Sequence, residues 1–132
     1  MQIKKRVLCP ERLRKVPPQF SWVDQRLVRE RYIDRLSHEA CALYLFLVTV
    51  ADAQGLSYYA ERTLSERLSM SLTQLHQARQ ALITQRLLAY RRPLYQVLAV
   101  ETPPPAAAPD REPHDDRVDL HAVFEQIWEA LS

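Results

Sequence analysis

The residues best equipped to do chemistry sit in and around one stretch, Glu61 to Arg92. Thr73, Gln74, His76, Gln77 and Gln80 are spaced so that, on a helix, they lie off the stripe formed by Leu75, Ala78 and Leu82. Hydroxyl, amide and imidazole groups on one helix face can hydrogen-bond base edges in a major groove, and an amide can pair with adenine through two bonds. Arg62 and Arg67 before this run, and Arg91 and Arg92 after it, are fixed cations of the kind that hold phosphates. Lys4, Lys5 and Arg6, followed by Arg12, Arg14 and Lys15, form a second cationic group. Catalytic chemistry lacks its parts. His38, His76, His114 and His121 have no Cys or acidic partners at metal-ligand spacing, and His114 with Asp115-Asp116 reads as charged linker. A single glycine excludes a glycine-rich phosphate loop. Ser57, Ser65 and Ser71 have no nucleophile-elbow context. The expectation is a protein that is not an enzyme and takes no metal and no cofactor.

The elements that must position these residues can be read from periodicity. Leu64 and Leu68 are one helical turn apart, which predicts a short helix. Ser69-Met70-Ser71 breaks the pattern. Ser71 with Gln74 three residues on is a capping box, so a longer helix starts there, burying Leu75, Ala78 and Leu82 with Ile83 at the edge. Arg79 lies near that inward stripe. Leu87–Arg91 and Tyr95–Val100 are rich in strand formers, and Arg92-Pro93-Leu94 makes a hairpin turn between them. Upstream, Ser37 caps a helix with Glu39 in its first turn, and Ala40, Leu43, Tyr44, Leu47 and Ala51 trace one stripe. Leu45, Phe46, Val48 and Val50 make that helix apolar nearly all round, which puts it at the centre of the domain. Gly55 is expected at its C′ position, and Leu56–Tyr59 as a short strand pairing with the hairpin.

The run Leu64-Ser65, Leu68-Ser69, Met70-Ser71, Gln74-Leu75, Ala78-Arg79, Leu82 and Arg86-Leu87-Leu88 resembles bacterial winged-helix domains without a gap. Leu36–Ala40 followed by Ala42-Leu43-Tyr44 is similar to the first helix of the winged-helix domains of phage and plasmid replication initiators, and Gly55 before Ser57-Tyr58-Tyr59 fits the same pattern. The resemblance spans roughly residues 36–100. It implies a mainly α fold with a small β-hairpin, and DNA binding in transcription regulation, DNA replication or a mobile element. Three positions depart from the family. Ser69 and Arg86 stand where it prefers Gly, so those helix ends are expected to close differently, and Leu72 replaces a polar or basic residue.

Composition bounds the rest. A chain of 132 residues with 47% hydrophobic side chains supports one domain plus an extension. No apolar run reaches membrane-span length, the N-terminus lacks a signal-peptide apolar region, and Cys41 in an apolar run reads as a buried thiol; together these predict a cytoplasmic protein with no membrane contact. The net charge of +2 hides an asymmetry: +8 over residues 1–100 and −6 over residues 101–132. A basic body with an acidic tail fits a polyanion surface plus a segment with another task, or a solvated body with a solubilising tail.

Four regions follow. Residues 1–19, with Pro17-Pro18, read as an extended basic arm able to follow a backbone or enter a minor groove, or as a solvated terminus. Residues 20–100 form the winged-helix domain. Its first part, Phe20 to Leu36, is expected to be helical, with Ser21 and Asp24 as a capping box, Val23, Leu27 and Val28 inward, Phe20 and Trp22 in a core or interface, and Trp22 and Val23 available for a homodimer. Residues 101–118 are a Pro-rich acidic linker. Residues 119–132 form an amphipathic helix capped by Asp119, with Leu120, Val123, Phe124, Ile127 and Leu131 on one face and Trp128 beside it. Such a helix needs a docking partner, on its own domain, a second copy or another protein. The expected function is duplex-DNA binding with a protein partner recruited through this helix. The alternative is a protein–protein adaptor on the same scaffold without DNA binding, supported by Leu72 and the neutral, amide-rich second helix.

Overall fold

The computed structural model describes residues 3–101. The expected linker 101–118, beyond Glu101, and the helix 119–132 with its apolar face lie outside the described residues. The described chain is mainly helical with a small antiparallel sheet. In order it forms α1 (Arg26–Arg29), α2 (His38–Val50), β1 (Leu56–Tyr58), α3 (Glu61–Leu68), α4 (Leu72–Thr84), β2 (Leu88–Arg91) and β3 (Leu94–Val97), with single 3₁₀ turns at Pro10–Arg12 and Ile33–Arg35.

Local signals set the two long helices. Ser37 Oγ accepts from the Ala40 amide, starting α2. At α4 both halves of the capping box form: Gln74 N–H donates to Ser71 Oγ at 3.0 Å, and the Ser71 amide donates to Gln74 Oε1 at 2.9 Å. The turn between α3 and α4 is closed by the Ser65 hydroxyl, which donates to the Met70 carbonyl at 2.5 Å. Ser69 and Arg86 both take the left-handed conformation, at φ 54° and 59°. The two helix ends thus close as glycine would close them, against the expectation, at about 1 kcal/mol of backbone cost each. Tertiary packing of the flanking Leu64, Met70, Leu82 and Leu87, all buried, offsets that cost.

The sheet order is β1-β3-β2. The hairpin registers Leu88 with Val97 and Tyr90 with Tyr95 around a turn at Arg92-Pro93, and β1 pairs Ser57 with Tyr95 on the other edge. The expected strand upstream therefore does join the hairpin. The core sits between α2, α3, α4 and the sheet, with Leu43, Leu47, Leu64, Leu75, Leu82, Leu87, Leu88 and Tyr95 fully buried. The α2 stripe is as expected at Ala40, Leu43, Tyr44 and Leu47, with Val48 also buried, while Leu45 faces solvent.

Two further expectations fail. Gly55 is not the C′ residue of α2, which ends at Val50 with Ala51 already extended. Asp52 takes over instead: its Oδ1 accepts from the amides of Gln54 (2.8 Å) and Leu56 (2.9 Å), a turn that competes with helix. Gly55, at φ 84°, lies on the sheet edge, where a Cβ would meet the Val97 carbonyl oxygen at 2.6 Å. Gly55→Ala should therefore cost about 2 kcal/mol or more, read as a lower urea midpoint with unchanged slope.

The second failure is the helix expected over Phe20–Leu36. Only the four residues of α1 are helical. The Asp24 carboxylate accepts from the Arg26 amide (2.9 Å) and pairs with its guanidinium (2.7 Å), a local turn just ahead of α1, whose N-cap Gln25 has no side-chain cap bond, and Ser21 donates to the Thr49 carbonyl instead of capping. The Arg26 guanidinium and amide hydrogen bonds hold the Asp24 carboxyl below its usual range. Arg31, left-handed at φ 60°, follows α1 and blocks continuation. Of the expected inward residues Leu27 alone is buried, while Val23, Val28, Phe20 and Trp22 are exposed. Phe20 and Trp22 are thus not core residues.

Candidate nucleic-acid interface

Helix α4 packs chiefly on α2, and also on α3 and β2. Leu75, Ala78, Arg79 and Leu82 are its buried side. Thr73, Gln74, His76, Gln77 and Gln80 are all exposed, on the outward side the spacing assigned to them. Every exposed side chain of α4 is neutral or an imidazole; the helix's one Arg is turned inward. Two of the five expected base-facing residues have other engagements. The Gln74 oxygen is committed to the helix cap, leaving its amide N–H groups as donors. His76 Nδ1 lies 3.4 Å from Arg79 Nη2, a contact that needs Nδ1 unprotonated. Thr73, Gln77 and Gln80 make no such contacts among the described residues.

Arg79 is the residue that sequence reasoning left without a role. The residue is 5% exposed, and its guanidinium contacts three other elements. Nη2 donates to Glu61 Oε1 at the start of α3 (3.0 Å), and Nη1 donates to the Tyr95 hydroxyl of β3 (3.2 Å). The guanidinium carbon lies 4.2 Å from the ring centre of Tyr90 on β2, and the Tyr90 and Tyr95 rings are themselves 4.5 Å apart. Burial acts to lower the Arg79 pKa, but the hydrogen bond and electrostatic interaction with Tyr95, the neighbouring Tyr90 and the hydrogen bond to Glu61 together outweigh it, so the net direction is up and the charge is retained. Burial likewise pushes the Tyr95 phenol up, keeping it neutral. These contacts tie α4 to the hairpin and to the start of α3. The signal was present in the spacing: Arg79 is four residues after Leu75 and three before Leu82, on the buried face.

The expected phosphate-holding cations are all exposed, but they are not equivalent. Arg62 and Glu66 form an exposed ion pair at 3.7 Å, one worth a few tenths of a kcal/mol that offsets the cation's charge. Arg67 lies over the Phe46 ring, 5.7 Å from its centre. Arg91 and Arg92, at the end of β2 and in the hairpin turn, are exposed without an acidic partner among the described residues. Lys4, Lys5 and Arg6 lie on an arm whose residues 3–19 are exposed throughout. Among the described residues no cluster of His, Cys, Asp and Glu could hold a metal ion, and no helix is long and apolar enough to cross a membrane. Comparison with known protein families, curated proteins and solved structures finds no match to this chain.

Proposed function

We propose that the chain is a winged-helix protein that binds duplex DNA. Helix α4 enters the major groove, with Thr73, Gln77 and Gln80 reading base edges and the N–H groups of Gln74 and the ring of His76 at its flanks. Arg91 and Arg92 at the hairpin, the wing in this reading, and Lys4–Arg6 on the arm hold phosphates, with Arg62 and Arg67 in support. Placement in transcription regulation, replication or a mobile element, with a partner recruited through residues 119–132, follows from the resemblance of residues 36–100 to replication initiators. The observation that carries the proposal is the face α4 turns to solvent. The solvent face of a surface helix is charged or polar; this one offers hydroxyls, amides and an imidazole, the hydrogen-bonding groups that read base edges, while its guanidinium is buried.

Two observations favour the adaptor reading: the outward face of α4 presents no cation to a polyanion, and the helix opens on an apolar residue. Leu72, first residue of α4, is 58% exposed, and an apolar side chain at that position suits a protein surface. Titration of the full chain against random-sequence duplex at about 0.05 M and about 0.2 M salt separates the two. Neutralising about four phosphates should weaken binding roughly 100-fold over that range. No binding at either concentration would leave the adaptor.

A further inference from the structure

The N-terminal arm and the chain exit leave the body at one place. An open groove of about 430 Å³ is lined by Phe20 and Trp22 at the arm's root, by Val97 and Val100 just before the exit and by Val48 of α2, with Asp24 and Asp52 on its polar side. Both roots are tied down. Ser21 Oγ donates to the Thr49 carbonyl at 3.1 Å, and the Tyr32 hydroxyl donates to the Glu101 carbonyl at 2.6 Å. From this root the arm carries an unusual combination. Residues 3–23 hold six Lys/Arg against one Glu, a net +5. They also expose Ile3, Leu8, Val16, Phe20 and Trp22 at 65–88%. Of these, Phe20 and Trp22 stand together at the groove, an exposed aromatic pair beside an apolar wall.

The 31 residues after Glu101 have the complementary character. Residues 101–132 carry eight acidic against two basic side chains, a net −6, and Leu120, Val123, Phe124, Ile127 and Leu131 recur at helical spacing beside Trp128. Reach is no obstacle, since the eight residues 102–109 between the exit and this segment can span on the order of 25 Å at about 3.1 Å per residue. Tethering also sets an effective concentration of about a millimolar, well above what a second copy offers at ordinary protein concentrations.

We propose that the Phe20–Trp22/Val97–Val100 groove and the basic arm that leads from it are the docking surface for the chain's own residues 110–131. The apolar stripe from Leu120 to Leu131 covers Phe20, Trp22 and the groove, and the acidic run Asp110–Asp119 lies along Lys4–Lys15. The pairing does not depend on DNA binding. It does have a consequence for any polyanion, because a covered arm offers its cations only after the segment lifts off.

The test uses a nitroxide on Cys9, an exposed thiol on the arm, in the full chain carrying Cys41→Ser. Amide signals of residues 110–119 should lose intensity in the labelled chain. The loss should shrink when Lys4, Lys5 and Arg6 are replaced by Glu, and when salt rises from about 0.05 M to about 0.5 M and shortens the range of the charge attraction. Unchanged intensities at low salt would overturn the proposal. So would an equal loss in a mixture where the nitroxide and the observed isotope are on different chains, because the occupant would then be a second copy.

Discussion

Replacing Arg79 by Ala should lower the unfolding free energy by roughly 3 kcal/mol, measured by urea denaturation of the full chain. Arg79 is 5% exposed, so its removal empties a packed site and strips the Tyr95 hydroxyl, on a fully buried residue, of its donor. The stacking on Tyr90 goes as well. Arg79→Met is the informative companion. It retains most of the volume and removes the charge, and the Glu61 side chain, 34% exposed, can turn to water. About 1 kcal/mol of loss is expected there, because an apolar replacement avoids the desolvation of a buried ion. If Arg79→Ala stayed within about 0.5 kcal/mol of the parent, as a surface substitution does, the guanidinium would have no part in holding α3, α4 and the hairpin together.

The double replacement of Arg91 and Arg92 by Ala should weaken duplex binding by about tenfold or more at 0.1 M salt and flatten the salt dependence by a slope of about 2. The loss should be nearly uniform across sequences, because a phosphate contact positions the protein without reading bases. Gln77→Ala or Gln80→Ala should act differently. Each should relax discrimination at one base pair, by about 1–3 kcal/mol where the amide makes a bidentate contact, with little change in the salt slope. Parent-like affinity and slope in the Arg91/Arg92 variant would remove the hairpin from the interface. Arg62 is a weaker test, since Glu66 at 3.7 Å already offsets its charge.

Much of this architecture was written in short-range pattern. The capping box at Ser71 and Gln74, the cap at Ser37, the buried stripes of α2 and α4, and the hairpin across Arg92-Pro93 all depend on residues a few positions apart. Helix periodicity and cap chemistry are local, so the spacing alone was enough. The outward placement of Thr73, Gln77 and Gln80 came from the same arithmetic. Ser69 and Arg86 are a middle case: the resemblance marked both positions as special, but only packing around Leu64, Met70, Leu82 and Leu87 holds non-glycine residues left-handed there.

Where partners are distant in sequence, local pattern misled. Phe20–Leu36 has helical spacing, yet Asp24 captures Arg26, Ser21 reaches Thr49 and most of the expected apolar face stays outside. Gly55 looked like a helix end and serves the sheet, because Val97 approaches it from 42 positions away. Arg79 could be placed on the inward face from sequence, but its role required Glu61 and Tyr95, 18 and 16 residues distant. A buried charge is tolerable only where several groups converge on it. That convergence exists once α3, α4 and the two strands are assembled, and no single stretch of this chain contains it.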